Sequence, residues 1–209
     1  MKKIAISIVA IVFILSLASC SNTAKKPNLY IEKAQLTKQE ESIAKLLGAN
    51  SEHRIYDFKL DDSVKSVRIN TYELKEGSWK QVTGFGSQAF LDNKGRLALD
   101  FDNVADGIRV AIQSEKHNSA TQYSNVVTED YTGMTRSITI LDNLTEIIYE
   151  QEIPLVLQIS TTKNAIRSFG VDSFFIPEEY DKYGYEHVYA VTIQFSQKTV
   201  EELDVINQQ

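Results

Sequence analysis

The sequence predicts a mainly β fold, an antiparallel β-sandwich of the immunoglobulin-like or jelly-roll-like kind with a short N-terminal helix. From Ile55 almost to the C-terminus, apolar and polar residues alternate with a period of two, as in Tyr56, Phe58 and Leu60, which is typical of half-buried strands. About eight to ten such runs occur, against only one segment with a convincing helical pattern. A chain of 209 residues is long enough for one domain with its own core.

The first nineteen residues have the arrangement of an export signal. Lys2 and Lys3 form a short basic start, and an uninterrupted run of apolar or small residues follows at 4–17. As a helix, this run of fourteen residues would be about 21 Å long, which is shorter than the ~30 Å hydrocarbon core of a bilayer. The segment 1–19 is therefore predicted to be a signal peptide rather than a permanent transmembrane helix.

The signal ends in the sequence L-A-S-C at residues 17–20, which resembles the lipobox of bacterial lipoproteins. In that family the cysteine receives a diacylglyceryl group and becomes the first residue of the mature chain. The resemblance implies that Cys20 carries covalent lipid, and that the protein is anchored to a cell membrane on its extracytoplasmic face. Two or three acyl chains are enough for stable attachment. The alternative interpretation is an ordinary signal peptide that ends near a cysteine.

A tether and one helix are predicted between the anchor and the strands. Residues 20–36 are polar and contain lysines and one proline, a composition typical of a spacer. The sequence T-K-Q-E at 37–40 forms a capping box, and Gly48 is placed to end a helix. We therefore expect a helix over 37–47 within a single β-sandwich domain over 37–209. Its apolar face, which either packs on the domain or forms a docking surface, consists of Ile43, Leu46 and Leu47.

Turn signals and further period-two runs mark the remaining elements. A turn at 92–95 separates the apolar runs 89–91 and 97–99, and this arrangement predicts a hairpin. The segment 143–150 fits either a helix or a strand, and 199–206 repeats the capping-box pattern and predicts a short terminal helix. The other predicted strands lie around 67–69, 108–112, 138–140, 153–159 and 189–195.

Composition limits the partners and cofactors. The chain has a net charge of −6, and removal of residues 1–19 takes away two lysines and no acid, so that the mature chain carries −8. Such an acidic chain lacks the basic patch that nucleic acid binding requires. Cys20 is the only cysteine, so the domain is predicted to contain no disulfide. The three histidines lack the spacing of a zinc site, so we expect neither a metal nor a cofactor apart from the lipid on Cys20.

The densest acidic cluster lies at residues 100–107 and contains Asp100, Asp102 and Asp106. Carboxylates on a compact loop are the ligands that calcium prefers. In either register of an EF-hand loop, however, Val104 occupies a ligand position, so the pattern fails. We therefore interpret these residues as the polar end of a strand and its turn, with an irregular calcium loop as the weaker alternative.

Aromatic residues mark the candidate ligand-binding loop. Tyr180, Tyr183 and Tyr185 lie close together among charged residues, in a segment without the period-two pattern. Tyrosine offers a large apolar face and a hydroxyl at low entropic cost, which suits recognition of a protein, a peptide or a glycan. The alternative is that these side chains enter the core. Trp79 follows a turn and is either a core residue or a platform for a sugar.

These observations predict a lipid-anchored, extracytoplasmic binding module for a protein, a peptide or a glycan. An accessory or structural subunit of an envelope transporter or sensor complex is the alternative. An extracytoplasmic hydrolase is a third hypothesis, disfavoured because few histidines and no intact nucleophile motif leave only scattered carboxylates for acid-base chemistry. We place the binding surface on the loop 180–185 rather than on the acidic loop, because loops on a rigid scaffold carry recognition without disturbing the core.

Overall fold

The computed structural model describes residues 26–46, 54–83, 88–90, 92–124 and 131–206. Within these ranges the chain forms two antiparallel sheets of six strands each, together with three short α-helices. The prediction of a mainly β fold is therefore confirmed. The predicted signal peptide and Cys20 lie outside the described residues. None of the described helices has the length and apolar character that a bilayer crossing needs.

The strands are numbered in chain order, and six of them form the first sheet: β1 (Tyr30–Lys33), β2 (Ile55–Lys59), β6 (Lys94–Asp100), β7 (Ile108–Ser114), β8 (Asn118–Tyr123) and β10 (Thr145–Glu146). Their order across the sheet is β10-β1-β2-β6-β7-β8. The period-two pattern of β2 buries Tyr56 and Phe58, while Lys59 is exposed.

The second sheet contains three central strands of ten residues each. Its members are β3 (Ser66–Lys75), β4 (Ser78–Thr83), β5 (Gln88–Ala89), β9 (Thr135–Ile140), β11 (Glu152–Thr161) and β12 (His187–Ser196). The order is β4-β3-β12-β11-β9, and β5 also pairs with β3. Both β11 and β12 are buried along nearly their whole length, since buried side chains lie on both faces of this sheet, and β11 contains the uninterrupted apolar run 153–157.

Two clusters of buried side chains lie on the two faces of the second sheet. The main cluster contains residues of both sheets, such as Ile31 of the first and Val191 of the second. Because successive side chains of a strand point to opposite faces, Ala190 belongs instead to the other cluster. There, the segment 166–185 covers the outer face of the second sheet and contributes the buried Phe174.

The predicted N-terminal helix forms, but the described part of its apolar face, Ile43 and Leu46, is exposed, and Leu47 lies outside the described residues. Helix α1 (Lys38–Leu46) begins with the expected capping box, in which the Thr37 amide donates to Glu40 at 2.7 Å and the Glu40 amide donates to Thr37 Oγ1 at 3.3 Å. Ile43 and Leu46 are 51% and 86% exposed. The contact of α1 with the first sheet is polar instead, because Glu40 lies 2.8 Å from the Arg96 guanidinium.

The other two helices are short. Helix α2 (Glu178–Asp181) belongs to the segment over the second sheet, and α3 (Val200–Ile206) follows the last strand. The predicted terminal capping box is confirmed, because the Thr199 amide donates to Glu202 at 2.7 Å. Two 3-10 turns, Val104–Asp106 and Val171–Phe175, complete the regular structure among the described residues.

Three segments differ from simple expectation or resolve an ambiguity. β1 lies inside the predicted tether 20–36, because Ile31 is fully buried and fixes this segment in the first sheet. The hairpin predicted over 89–99 does not form, since β5 pairs within the second sheet and β6 within the first. Phe90, 2% exposed, is buried in the main cluster at this crossing between the sheets. The ambiguous segment 143–150 contains the short strand β10.

Candidate functional site

An open pocket of about 600 Å³ lies between the turn that joins β3 to β4 and the start of β12. Its wall combines polar and apolar surface in similar proportion, and it includes two of the predicted tyrosines, Tyr180 and Tyr185. The charged and histidine side chains that line it belong to Glu73, Lys75, Glu76, Lys80, Glu186 and His187. Since a deep charged group beside an aromatic wall is typical of a ligand site, this pocket is the candidate functional site.

Glu73 lies in the pocket because of the alternation in β3. The pattern that buries Val67 and Ile69 also directs Thr71 and Glu73 to the same face of the strand. Glu73 is consequently 3% exposed, opposite Tyr189 in the register of β3 and β12. A carboxylate at such a depth requires hydrogen-bond or charged partners.

Three side chains surround the Glu73 carboxylate. The Tyr189 hydroxyl donates to it at 3.1 Å, Lys75 Nζ lies at 3.0 Å, and His187 Nδ1 lies at 3.4 Å. The Tyr189 hydroxyl also lies 2.5 Å from that of Tyr131. Burial raises the pKa of Tyr189, so this side chain stays a neutral donor at neutral pH. The base of the pocket is therefore a hydrogen-bonded network that fixes its shape.

All four predicted aromatic residues meet on the outer face of the second sheet. The Trp79 ring stacks on Phe174 with centroids 5.2 Å apart, and its indole N–H donates to the Phe174 carbonyl at 2.7 Å. Trp79 also contacts Tyr180 edge to face at 6.1 Å. Tyr183 and Tyr185 pack against the same cluster from its partly exposed side.

Their environments divide these four residues into two groups. Tyr180 is 1% exposed, and its hydroxyl lies 2.5 Å from Ser173 Oγ. Burial raises the pKa of Tyr180 to about 12. Trp79, Tyr183 and Tyr185 are half-buried. Tyr180 and Trp79 therefore hold the segment 166–185, the covering segment, on the second sheet. The tyrosines of this segment with accessible surface are Tyr183 and Tyr185.

Tyr185 is held in a fixed orientation at the pocket. Its ring is nearly parallel to that of Tyr183, with an interplanar angle of 10° and centroids 5.6 Å apart. The Arg167 amide donates to the Tyr185 hydroxyl at 2.9 Å, and the Arg167 guanidinium donates to the Tyr183 hydroxyl. Tyr185 lines the pocket while Tyr183 supports it from behind. A ring that is fixed in this way loses little conformational freedom when a ligand stacks on it.

Glu186 provides an exposed carboxylate at the pocket wall. It accepts hydrogen bonds from the hydroxyl groups of Thr161 and Thr162 and from the Thr162 amide at 3.2 Å. These bonds hold the pKa of Glu186 at about 2. The group is therefore charged at neutral pH and serves as an acceptor in a fixed position.

The acidic loop does not gather its carboxylates. Asp100, Asp102 and Asp106 are all exposed, whereas Asn103 points inward and accepts from the Gln158 side-chain amide at 2.6 Å. Among the described residues, no group of three or more histidine, cysteine, aspartate or glutamate side chains is arranged to hold a metal ion. The loop instead attaches the 3-10 turn to the second sheet, because Gln158 also accepts from the Val104 amide at 3.0 Å.

Sequence reasoning found the aromatic wall of the pocket but missed its charged base. Glu73 and Lys75 lie within a strand, where no sequence motif marks them as site residues. The spacing of His187 from the other histidines bears only on zinc binding. The available signal was the alternation in β3, which places Glu73 on the same face as the apolar Val67 and Ile69. A charged residue at an inward position of a strand indicates either a buried pair or a site.

No protein family model matches this chain, and no curated protein or solved structure is significantly similar to it.

Proposed function

We propose that this protein is a lipid-anchored, extracytoplasmic and non-enzymatic binding module whose pocket at Tyr185 takes an extracellular glycan. The observation that carries the proposal is the half-buried Tyr185 ring on the wall of a 600 Å³ open pocket, close to charged donors and acceptors. An aromatic face stacks on the apolar face of a sugar ring, and Lys80 and Glu186 offer hydrogen bonds to its hydroxyl groups.

We further infer that the two sheets pack face to face as a β-sandwich. The main buried cluster supports this inference, because it contains Ile31 and Leu97 of the first sheet together with Val191 and Ile193 of the second. A layer of side chains shared by two sheets is the defining feature of sheet-on-sheet packing. In this arrangement the pocket lies at an end of the second sheet, where the β3–β4 turn is found.

A binding role suits the pocket better than a catalytic one. The deepest carboxylate, Glu73, is surrounded by Tyr189, Lys75 and His187. A general base must be able to reach a proton on the substrate, and these contacts hold Glu73 in a structural network instead. A panel of generic hydrolase substrates tests this part of the proposal, and turnover that is lost in Glu73→Gln would contradict it.

The binding proposal is tested with a glycan array probed by the full-length protein and by two matched variants. Tyr185→Ser removes the aromatic wall, and we expect it to weaken binding by at least thirtyfold, since an aromatic anchor contributes about 2 kcal/mol. Tyr123→Ser is the control, because it removes another half-buried tyrosine, on β8 of the first sheet, that does not line the pocket. Thermal unfolding of both variants verifies that they remain folded. An array without any bound glycan, or equal affinity of Tyr185→Ser and the wild type, would refute the glycan assignment.

Lipid anchoring is tested separately with Cys20→Ala. We expect this variant to leave the membrane fraction and to lose labelling by a clickable fatty acid. Unchanged labelling and unchanged sedimentation with membranes would show that the lipobox interpretation is wrong, whatever the outcome at the pocket.

A further inference from the structure

A second cavity, of about 150 Å³, lies beside β10 at the edge of the first sheet. Its floor is apolar, since Leu141, Ile153 and Pro154 line it and all three are buried. Two exposed apolar side chains border it, with Ile148 at 52% and Phe175 at 60% exposure. The exposed residues Leu144 and Ile176 are neighbours of this border in the sequence. Large apolar side chains exposed around an apolar cavity are characteristic of an interaction surface.

The strand next to this cavity has an open edge. β10 is the last strand in the order of the first sheet and pairs with β1 on one side, so its other side carries no strand among the described residues. Such an edge offers backbone donors and acceptors to an extended segment of another chain.

The charged groups around the cavity are acidic. Glu146, Glu152 and Asp172 line it, and no lysine or arginine does so in the described part of the chain. Glu146 and Asp172 are exposed, whereas Glu152 accepts hydrogen bonds from Asn70 and Tyr72, both at 2.6 Å. Two free carboxylates on the rim attract cationic side chains and repel an anionic lipid surface.

We propose that this surface binds an extended polypeptide segment of a partner protein in which apolar side chains alternate with lysine or arginine. The apolar side chains enter the cavity between Ile148 and Phe175, the basic side chains contact Glu146 and Asp172, and the backbone pairs with the open edge of β10. The proposal is independent of the pocket at Tyr185 and uses different residues, so that each can fail alone.

The test uses the full-length protein in nanodiscs of zwitterionic lipid, with empty nanodiscs as the blank. The probe is a fluorescein-labelled octapeptide of alternating leucine and lysine, and its binding is measured by fluorescence anisotropy. We expect Ile148→Ser combined with Phe175→Ser to weaken the affinity at least about tenfold, because the apolar anchors are lost. Ile43→Ser with Leu46→Ser on α1 is the matched control, since these side chains are equally apolar and are 51% and 86% exposed.

The charged rim is tested with Glu146→Gln combined with Asp172→Asn. We expect the affinity to fall at least about threefold at low salt, and the difference to disappear at high salt. The same peptide with glutamate in place of lysine should bind more weakly than the lysine peptide. Hydrogen exchange at Thr145 and Glu146 should slow when the peptide is bound, because β10 then gains a backbone partner.

Any one of four binding results would overturn the proposal. They are a lack of binding by the wild type, unchanged affinity of the variant at Ile148 and Phe175, an equal loss in the α1 control, and equal binding of the glutamate peptide. Hydrogen exchange at β10 is also compared in nanodiscs and in mild detergent, without peptide. If it is slow in nanodiscs and fast in detergent, the membrane itself covers this surface, and this result would also overturn the proposal.

Discussion

Replacement of Tyr180 by alanine is expected to destabilise the whole domain, although this residue lies outside the sheets, in the short helix α2. Tyr180 is 1% exposed, and its ring lies 4.7 Å from that of Phe169 and 6.1 Å from that of Trp79. Removal of a buried aromatic side chain typically costs about 3–5 kcal/mol. For a domain of this size the corresponding fall in melting temperature is roughly 6–20 °C.

Two further variants separate the parts of this effect. Tyr180→Phe removes only the hydroxyl, and because Ser173 Oγ still donates to the Gly170 carbonyl at 2.6 Å, we expect a loss of about 0.5–1.5 kcal/mol. Tyr183→Ala removes a half-buried ring from the same segment and should cost less than half as much as Tyr180→Ala, since less apolar surface is involved.

The assay is guanidinium unfolding followed by fluorescence and by circular dichroism. Trp79 is the only tryptophan in the sequence and contacts Tyr180, so its fluorescence reports on the covering segment, while circular dichroism reports on the sheets. Coincident transitions indicate a single cooperative unit. An unfolding free energy of Tyr180→Ala within about 1 kcal/mol of the wild type would refute the structural role of this residue.

Three other substitutions test the remaining structural contacts. Thr37→Ala removes the helix cap and should lower the local stability of α1 by about 1 kcal/mol, which is measured as faster amide hydrogen exchange in this helix. The melting temperature of the domain should change little, because α1 buries no residue. Asp92 accepts bonds from Ser114 and His117 that hold its pKa at about 2. That stabilisation is complete above the ordinary pKa of 3.8 and is lost as the pH falls towards 2, so Asp92→Asn should flatten the acid-unfolding curve in this window. Gln158→Leu should cost about 1–3 kcal/mol in chemical denaturation, since a fully buried acceptor of a backbone amide is removed.

The strands could be predicted from the sequence because burial on one face leaves a period-two pattern, as in Tyr56 and Phe58. What could not be predicted is which strands pair. β5 and β6 are close in the sequence and resemble the two strands of a hairpin, but they belong to different sheets. The chain crosses between the sheets at Phe90, which is buried, and at Asp92, which accepts hydrogen bonds from the 114–117 turn. Local patterns do not record such long-range contacts.

The site was predicted in part for the same reason. Tyr183 and Tyr185 were recognised because aromatic residues outside a strand pattern are conspicuous in a sequence. The difference between the buried Tyr180 and the half-buried Tyr185 could not be predicted, because Tyr180 packs against Phe169 and against Trp79, which is distant in the chain. The capping box and the spacing of the apolar residues predicted α1 correctly, but its contact with Arg96 through Glu40 follows from the pairing of β6 with β2.

The position of β1 limits how far the domain can lie from the membrane if Cys20 carries lipid. Lys26 is already fixed to the domain, since its Nζ lies 2.5 Å from Glu32 and 3.7 Å from the centre of the Tyr30 ring. The six residue steps from Cys20 to Lys26 span about 20 Å at most when fully extended. The Leu29 carbonyl accepts from the Ile147 amide at 3.1 Å, so the surface beside β10 belongs to the same part of the domain. A partner that reaches this surface would therefore itself lie close to the bilayer.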